Sequence, residues 1–229
     1  MDTTDKKLVF FDVDYTLIDG NSGFFASLRF VKHGILKKRR ILQALYYTLC
    51  SFYKDQDVKK IYQIAIADMI GKSIDEILKI GLECLEKDLI PRFFDESVKM
   101  LKSHQEKGDI VILLSSGSSI IMSHVARYLG VNDFYAIGPR IENNLLTNNL
   151  PNPLCYAEGK IYYAQLAEKK YGLPLKQAFF YTDHHTDIPL LERVGFPHCV
   201  NPDRKLKRHA LQKNWPIHRV TRASPPPSI

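Results

Sequence analysis

Cysteine is scarce in this chain, and its four residues, Cys50, Cys84, Cys155 and Cys199, lie far apart with no CxxC spacing. That pattern speaks against a disulfide framework or a zinc site and suits reduced thiols in a cytoplasmic setting. Long hydrophobic runs are missing too. The longest apolar stretch, Leu42 to Tyr53, is about 12 residues with polar interruptions, against roughly 20 for a bilayer span, so no transmembrane helix is expected. Met1 to Lys7 is polar and carries acids, unlike a signal peptide. Internal repeats are absent, and nothing beyond charge points to nucleic acid, because no basic-aromatic interleaving or binding motif is present.

The 229 residues are 45% apolar, enough to bury a full core as one domain or as one domain with an inserted subdomain. The formal charge of +7 is moderate; it favours anionic substrates or surfaces, and it also serves plain solubility. The densest signal is Leu8-Val9-Phe10-Phe11-Asp12-Val13-Asp14-Tyr15-Thr16-Leu17. An uninterrupted apolar run reads as a strand buried on both faces. Residues two apart in an extended chain point the same way, so Asp12 and Asp14 are expected to emerge together at the strand's carboxyl end, where open α/β sheets bind ligands. Two acids at one point call for a cation or a shared proton.

Ile18 to Gly23 reads as a loop, and Phe24 to about Glu86 as helical throughout. Ile41, Leu42, Leu45, Leu49 and Phe52 share one helical face; Ile61, Ile64, Ala65 and Ile70 suggest another. Ser73 with Glu76 resembles a capping box opening a helix over 74–85. Alternation then resumes: helix 95–105, strand 110–114, a serine-rich turn 115–119, helix 120–129, strand 134–137, and a loop or small hairpin over 140–155. Helix 160–171, strand 177–181, helix 188–193 and a strand near 198–200 follow. Residues 223–229 read as a disordered tail. The order predicts an α/β fold, a Rossmann-like doubly wound parallel sheet with an inserted α-helical subdomain. The expected boundaries are 1–18 and 92–222 for the core and 19–91 for the insertion.

Each strong strand ends in reactive residues: Asp12 and Asp14, then Ser115 expected at a helix N-terminus, then Asp183 and Asp187. Singly these are turn or capping residues; jointly they gather at one sheet edge. Converging carboxylates make an oxygen-rich site for a hard cation such as Mg²⁺. Ser115 with the N–H groups that follow it makes an anion cradle, and Lys160 can add a positive charge. A divalent cation facing an anion cradle suggests phosphate.

In this order the motifs resemble those of the haloacid dehalogenase-like (HAD) phosphohydrolases over nearly the whole chain, most closely the phosphoserine-phosphatase-like branch, subfamily IB. The insertion resembles that branch's helical C1 cap. The resemblance implies Asp12 as nucleophile and Asp14 as general acid and base. It implies Mg²⁺ on Asp12, Asp14 (through its carbonyl) and Asp183, with Thr16 and Asp187 behind them. Ser115, Ser116 and Lys160 would hold the phosphoryl group of a small phosphorylated substrate.

Three features depart from the family pattern. His184, followed by His185, stands where a small residue is usual; adjacent side chains are expected to diverge, which leaves His184 a place on the pocket rim rather than as a metal ligand. Asn21 occupies the position of the acid that meets the ammonium of phosphoserine, which turns the substrate away from phosphoserine and makes Asn21 a substrate-side candidate. Tyr15 replaces a frequent glycine. The insertion is basic (Lys32, Lys37, Lys38, Arg39, Arg40, Lys54, Lys59, Lys60), as an ordinary solvated helix face or as a contact with an anionic membrane surface. The second possibility leads to a phospholipid head-group phosphatase. A phosphotransferase and a non-catalytic phosphate- or partner-binding module are further alternatives.

Overall fold

The computed structural model describes residues 6–51 and 58–222. The residues before Lys6, Phe52, Lys54 and the tail from 223 lie outside the described residues, as do the side chains of Leu45, Leu49 and Cys50. β1 (Leu8–Phe11) is followed by the helices α1 (Ser22–Lys32), α2 (Lys38–Ser51), α3 (Val58–Ile66) and α4 (Ile74–Cys84). A π-helical turn, Leu85–Leu89, and a 3₁₀ turn, Ile90–Arg92, lead into α5 (Asp95–Glu106). Next come β2 (Ile110–Ser118), α6 (Ser119–Leu129), β3 (Asp133–Ile137) and a hairpin of β4 (Ile141–Glu142) and β5 (Leu145–Leu146). α7 (Gly159–Tyr171), β6 (Phe179–Thr182), α8 (Ile188–Leu191), β7 (Phe196–Val200), α9 (Arg204–Lys213) and β8 (Ile217–His218) complete the described chain.

The main sheet has the order β3-β2-β1-β6-β7-β8, and every neighbouring pair is parallel. A parallel sheet is covered on both faces, and the strand residues divide accordingly. Val9, Phe11, Val111, Leu113 and Tyr181 pack with Leu101 of α5, Ile121 and Val125 of α6, and Ile77 of α4. Leu8, Phe10, Ile112, Leu114 and Phe180 pack with Ala164 of α7, Leu190 of α8 and Leu206 of α9. Phe10 and Phe11 are wholly buried, and each such side chain contributes about 1.5–3 kcal/mol. The chain builds outward from β1 to β3, then returns to lay β6 against the other side of β1. The β1/β6 boundary is therefore the point where strand order reverses, and a crevice opens at the carboxyl ends there.

Local chemistry accounts for several departures from the sequence expectations. α1 starts at Ser22, not Phe24, because the Asn21 side chain accepts the Phe24 N–H and caps the helix. Ser73 does open α4, accepting the Asp75 N–H. Asn143 and Asn144, with φ of +50° and +64°, form the tight turn of the β4–β5 hairpin. The hairpin in turn holds the α3–α4 connection: Gly71 N–H donates to Leu146 C=O and Ile74 N–H to Asn144 C=O. α9 and β8 were not anticipated. On α2, Ile41 packs on the core, whereas Leu42 and Tyr46 are exposed, and Ile70 lies exposed beyond α3. Arg40 bonds Asp68 at 3.1 Å, while Lys38 and Arg39 face solvent. No helix among the described residues is long and apolar enough to cross a membrane.

Candidate active site

β1 ends at Phe11, but pairing persists one residue further, since Asp12 N–H donates to Tyr181 C=O at 2.9 Å. The chain then turns sharply, and Val13 C=O accepts the N–H groups of Thr16, Leu17 and Ile18. Tyr15 sits in this turn at φ +58°, a left-handed conformation that glycine takes freely and that costs other residues about 1–2 kcal/mol. The turn carries Asp14 back to α1, where its carboxylate accepts the Ser22 N–H at 3.0 Å. An acid there meets the positive end of the helix.

From β6 and α7 come the partners. Thr16 Oγ1 donates to Asp183 Oδ1 at 3.3 Å, joining the first turn to the end of β6. Lys160 is buried to 2% exposure. Its Nζ donates to Asp187 Oδ2 at 2.7 Å and lies 3.4 Å from Asp12 Oδ1. Thr182 Oγ1 donates to the same Asp187 oxygen at 2.6 Å. α7 can seat Lys160 this deeply because residue 159 is glycine: a Cβ there would stand 1.9 Å from the Leu154 carbonyl oxygen.

Carboxylates outnumber cations in this buried space. Burial, together with Asp187 and Asp14, pushes Asp12 up to about 7 against the pull of Lys160. Burial, then Asp12 and Asp187, push Asp183 up to about 8. Burial also raises Asp14, and the Ser22 N–H draws it back. For Lys160 burial works downward, but Asp12 and Asp187 outweigh it and hold the ammonium charged. Excess negative charge on hard oxygen donors, withdrawn from water, is the environment that a divalent cation such as Mg²⁺ relieves. Asp12 and Asp183 fit such an ion; Thr16 braces Asp183, and Asp187 holds Lys160 rather than either acid.

Ser115 does not stand at a helix N-terminus as expected. β2 continues past it, re-pairing with β3 at Ser118, and α6 starts only at Ser119. Between Leu114 and Ser118 the register with β3 shifts, so the serine stretch bulges out of the ladder. Within the bulge the buried Ser115 Oγ accepts the Gly117 N–H at 3.0 Å. Gly117 leaves the corner open, for a Cβ there would meet Ser22 Oγ at 3.1 Å and Ser115 Oγ at 3.2 Å. The cradle is thus a strand bulge. Ser116 has an exposed side chain that lines an adjoining cavity.

Two substrate-side candidates are already engaged. Asn21 spends its oxygen on capping α1. The rings of His184 and His185 do not diverge; their centroids are 4.4 Å apart. His184 Nδ1 bonds Thr186 Oγ1 at 2.9 Å, and His185 Nδ1 bonds Asp203 Oδ2 at 2.6 Å. Asp203 also caps α9 through its other oxygen, and its N–H donates to Asp183 C=O. It thereby ties the loop that bears Asp183 to the rest of the core. Asp203, Thr182 and Ser22 carry no site role in the sequence reading. Asp203, an acid followed by an amphipathic run, was the signal available for α9.

The model of the haloacid dehalogenase-like hydrolase family matches residues 9–192. A probable phosphatase of Mycobacterium tuberculosis is 29% identical over 215 residues, covering 93% of this chain and 75% of that protein. A histidinol-phosphatase of Neisseria meningitidis is 27% identical over 227 residues, covering 93% of this chain and 98% of its own length. Among solved structures, a protein of unknown function from Bordetella pertussis superposes with a TM-score of 0.85 at 22% identity, covering 94% of this chain and 99% of that one. At that identity the match speaks for the fold.

Proposed function

The chain belongs to the haloacid dehalogenase-like hydrolase family, and from that premise we propose that it hydrolyses small phosphomonoesters with Mg²⁺ through an aspartyl-phosphate. The observation that carries the reading is the Asp12 carboxylate at the strand-order reversal, with Lys160 Nζ 3.4 Å from it. The names of its phosphatase relatives support the same reaction.

Asp12 attacks phosphorus, and the bond to the departing alcohol breaks as Asp14 gives that oxygen its proton. Asp14 then takes a proton from the water that cleaves the acyl phosphate, which frees inorganic phosphate and restores Asp12. Burial, which keeps Asp14 above its ordinary value, helps it hold the proton it must donate. Lys160, Ser115 and the bulge amide at 116 hold the phosphoryl oxygens, the 117 amide orients Ser115 Oγ, and Asp187 keeps the Lys160 ammonium in place. Mg²⁺, held by Asp12, Asp183 and the Asp14 carbonyl, would neutralise charge on the phosphoryl group. Residues 19–91 act as the cap that screens this site from water, over a core of 1–18 and 92–222.

Phosphate release from p-nitrophenyl phosphate tests the assignment. Turnover is expected with Mg²⁺, lost with EDTA, and lost in Asp12→Asn while far-UV circular dichroism is retained. An EDTA-insensitive wild type, or an active Asp12→Asn, would overturn it.

A membrane-surface setting has one observation in its favour: Lys38, Arg39, Leu42 and Tyr46 of α2 are all exposed. Cosedimentation with anionic vesicles is expected to fall when Lys38 and Arg39 become Gln; equal sedimentation of both proteins removes this reading.

A further inference from the structure

A cavity of about 650 Å³ opens between α1, α3 and the Ser116–Ser118 bulge, within the range of about 300–1,000 Å³ typical of small-molecule pockets. Tyr15, Ser116 and Gly117 are among its lining residues, so it adjoins the Asp14 turn and the Ser115 bulge. Its walls also include Phe24, Phe30, Ala65, Ile66, Met69 and Ile120. Among the described residues, no acidic, basic or histidine side chain lines it.

Three of the six polar side chains in the wall are turned to the protein itself. Asn21 Oδ1 accepts the Phe24 N–H at 2.8 Å, Ser27 Oγ donates to Gly23 C=O at 2.8 Å, and Tyr62 OH donates to Ile137 C=O at 2.9 Å. An ammonium or carboxylate on the departing alcohol would lose its water here and find no counter-charge among the described residues, which is strongly unfavourable. A hydrocarbon placed in the same space gains burial instead.

We infer that the alcohol released at this site carries an apolar body, so that the substrate is the phosphomonoester of a long-chain, uncharged alcohol rather than of an amino alcohol. The inference rests on the phosphatase reading above. The phosphate sits on the Ser115 and Lys160 side, and the chain extends between α1 and α3. Ala65 contributes only a methyl group to the wall, leaving room that a larger residue would fill.

The test compares kcat/KM of the wild-type protein with Mg²⁺ for ethyl, butyl, hexyl and octyl phosphate, each below its micellar concentration, with p-nitrophenyl phosphate and phosphoserine as references. The expected result is a rise of about threefold to fourfold per methylene, the fold-change that corresponds to about 0.8 kcal/mol, with phosphoserine far below octyl phosphate. A flat or falling series, or phosphoserine as the better substrate, overturns the inference. Hydrolysis of none of these, p-nitrophenyl phosphate included, instead overturns the phosphatase reading. Calorimetric binding of the same alkyl phosphates to Asp12→Asn judges the cavity without turnover: affinity should climb with chain length, and constant affinity counts against it. Ala65→Trp should collapse the octyl-to-ethyl ratio at least tenfold, and an unchanged ratio in the folded variant also overturns the assignment.

Discussion

Lys160 illustrates how far packing can override a residue's ordinary place. A lone lysine at a helix start is ordinarily exposed, yet this one is buried with Asp187 at 2.7 Å and Asp12 at 3.4 Å. Removing one member of a buried ion pair leaves an uncompensated charge and costs about 3–5 kcal/mol. Lys160→Met is therefore expected to lose roughly that much stability in urea unfolding and to lose phosphate release. The double variant Lys160→Met with Asp187→Asn should regain much of the stability and none of the activity; recovered activity would mean that the lysine serves the fold alone. The residue types of the site were legible from the end of each strong strand. The employment of Asn21 as a helix cap and the convergence of His184 with His185 were not, because both depend on which neighbour reaches a side chain first.

At the scale of elements, strands announced themselves by composition, and their ends were harder to place. The run Leu8 to Phe11 is apolar without interruption, and it became β1 as read. β2 reads as five apolar residues followed by serines, yet extends to Ser118 because β3 offers a partner beyond the bulge. Sequence periodicity carries no information about such a partner. α9 depends on Asp203, which caps its first turn through Lys205 and Leu206 N–H and bonds His185 at 2.6 Å. Asp203→Ala should cost about 0.5–2 kcal/mol, the usual range for a lost N-cap, read as a lower urea midpoint. Asp203→Asn, which keeps a capping oxygen, should cost less; equal losses would place the effect in the His185 contact instead.

Across the whole molecule, a row of rings crosses one face of the sheet from Phe11 through Tyr181 to His198 and His218. His198 Nδ1 and His218 Nε2 share a hydrogen bond of 2.8 Å, which requires at least one neutral ring. Burial foremost, then His218 and His104, depress His198 to about 4 from its ordinary 6.5. The unfolded chain therefore takes up this proton below about pH 6.5, and the folded chain only near pH 4. Stability from this group is complete above pH 6.5 and declines as the pH falls toward 4. With the ring partly within reach of solvent, the loss is about 1–2 kcal/mol. Asp12 and Asp183, held high in the folded chain, act in the opposite sense over the same range, so the test is the difference between wild type and His198→Gln. The urea midpoint of the wild type relative to the variant should fall by that amount from pH 7 to 4.5, and a constant difference would remove His198 as the source.

The amino-acid sequence by itself determined the α/β alternation, the run of helices between the first two main strands, and the residues that end at the sheet's carboxyl edge. These follow from local physics: buried strands must be apolar, helices show their period, and reactive side chains interrupt both. Only the tertiary structure decided that β6 lies against β1, which brings Asp183 and Thr16 to 3.3 Å across 167 residues of chain. It also decided that Ser115 lies in a strand bulge rather than at a helix end, and that the cavity adjoining the Asp14 turn is walled mostly by hydrocarbon. Each of these depends on which distant surfaces meet, and that choice belongs to the packed chain as a whole.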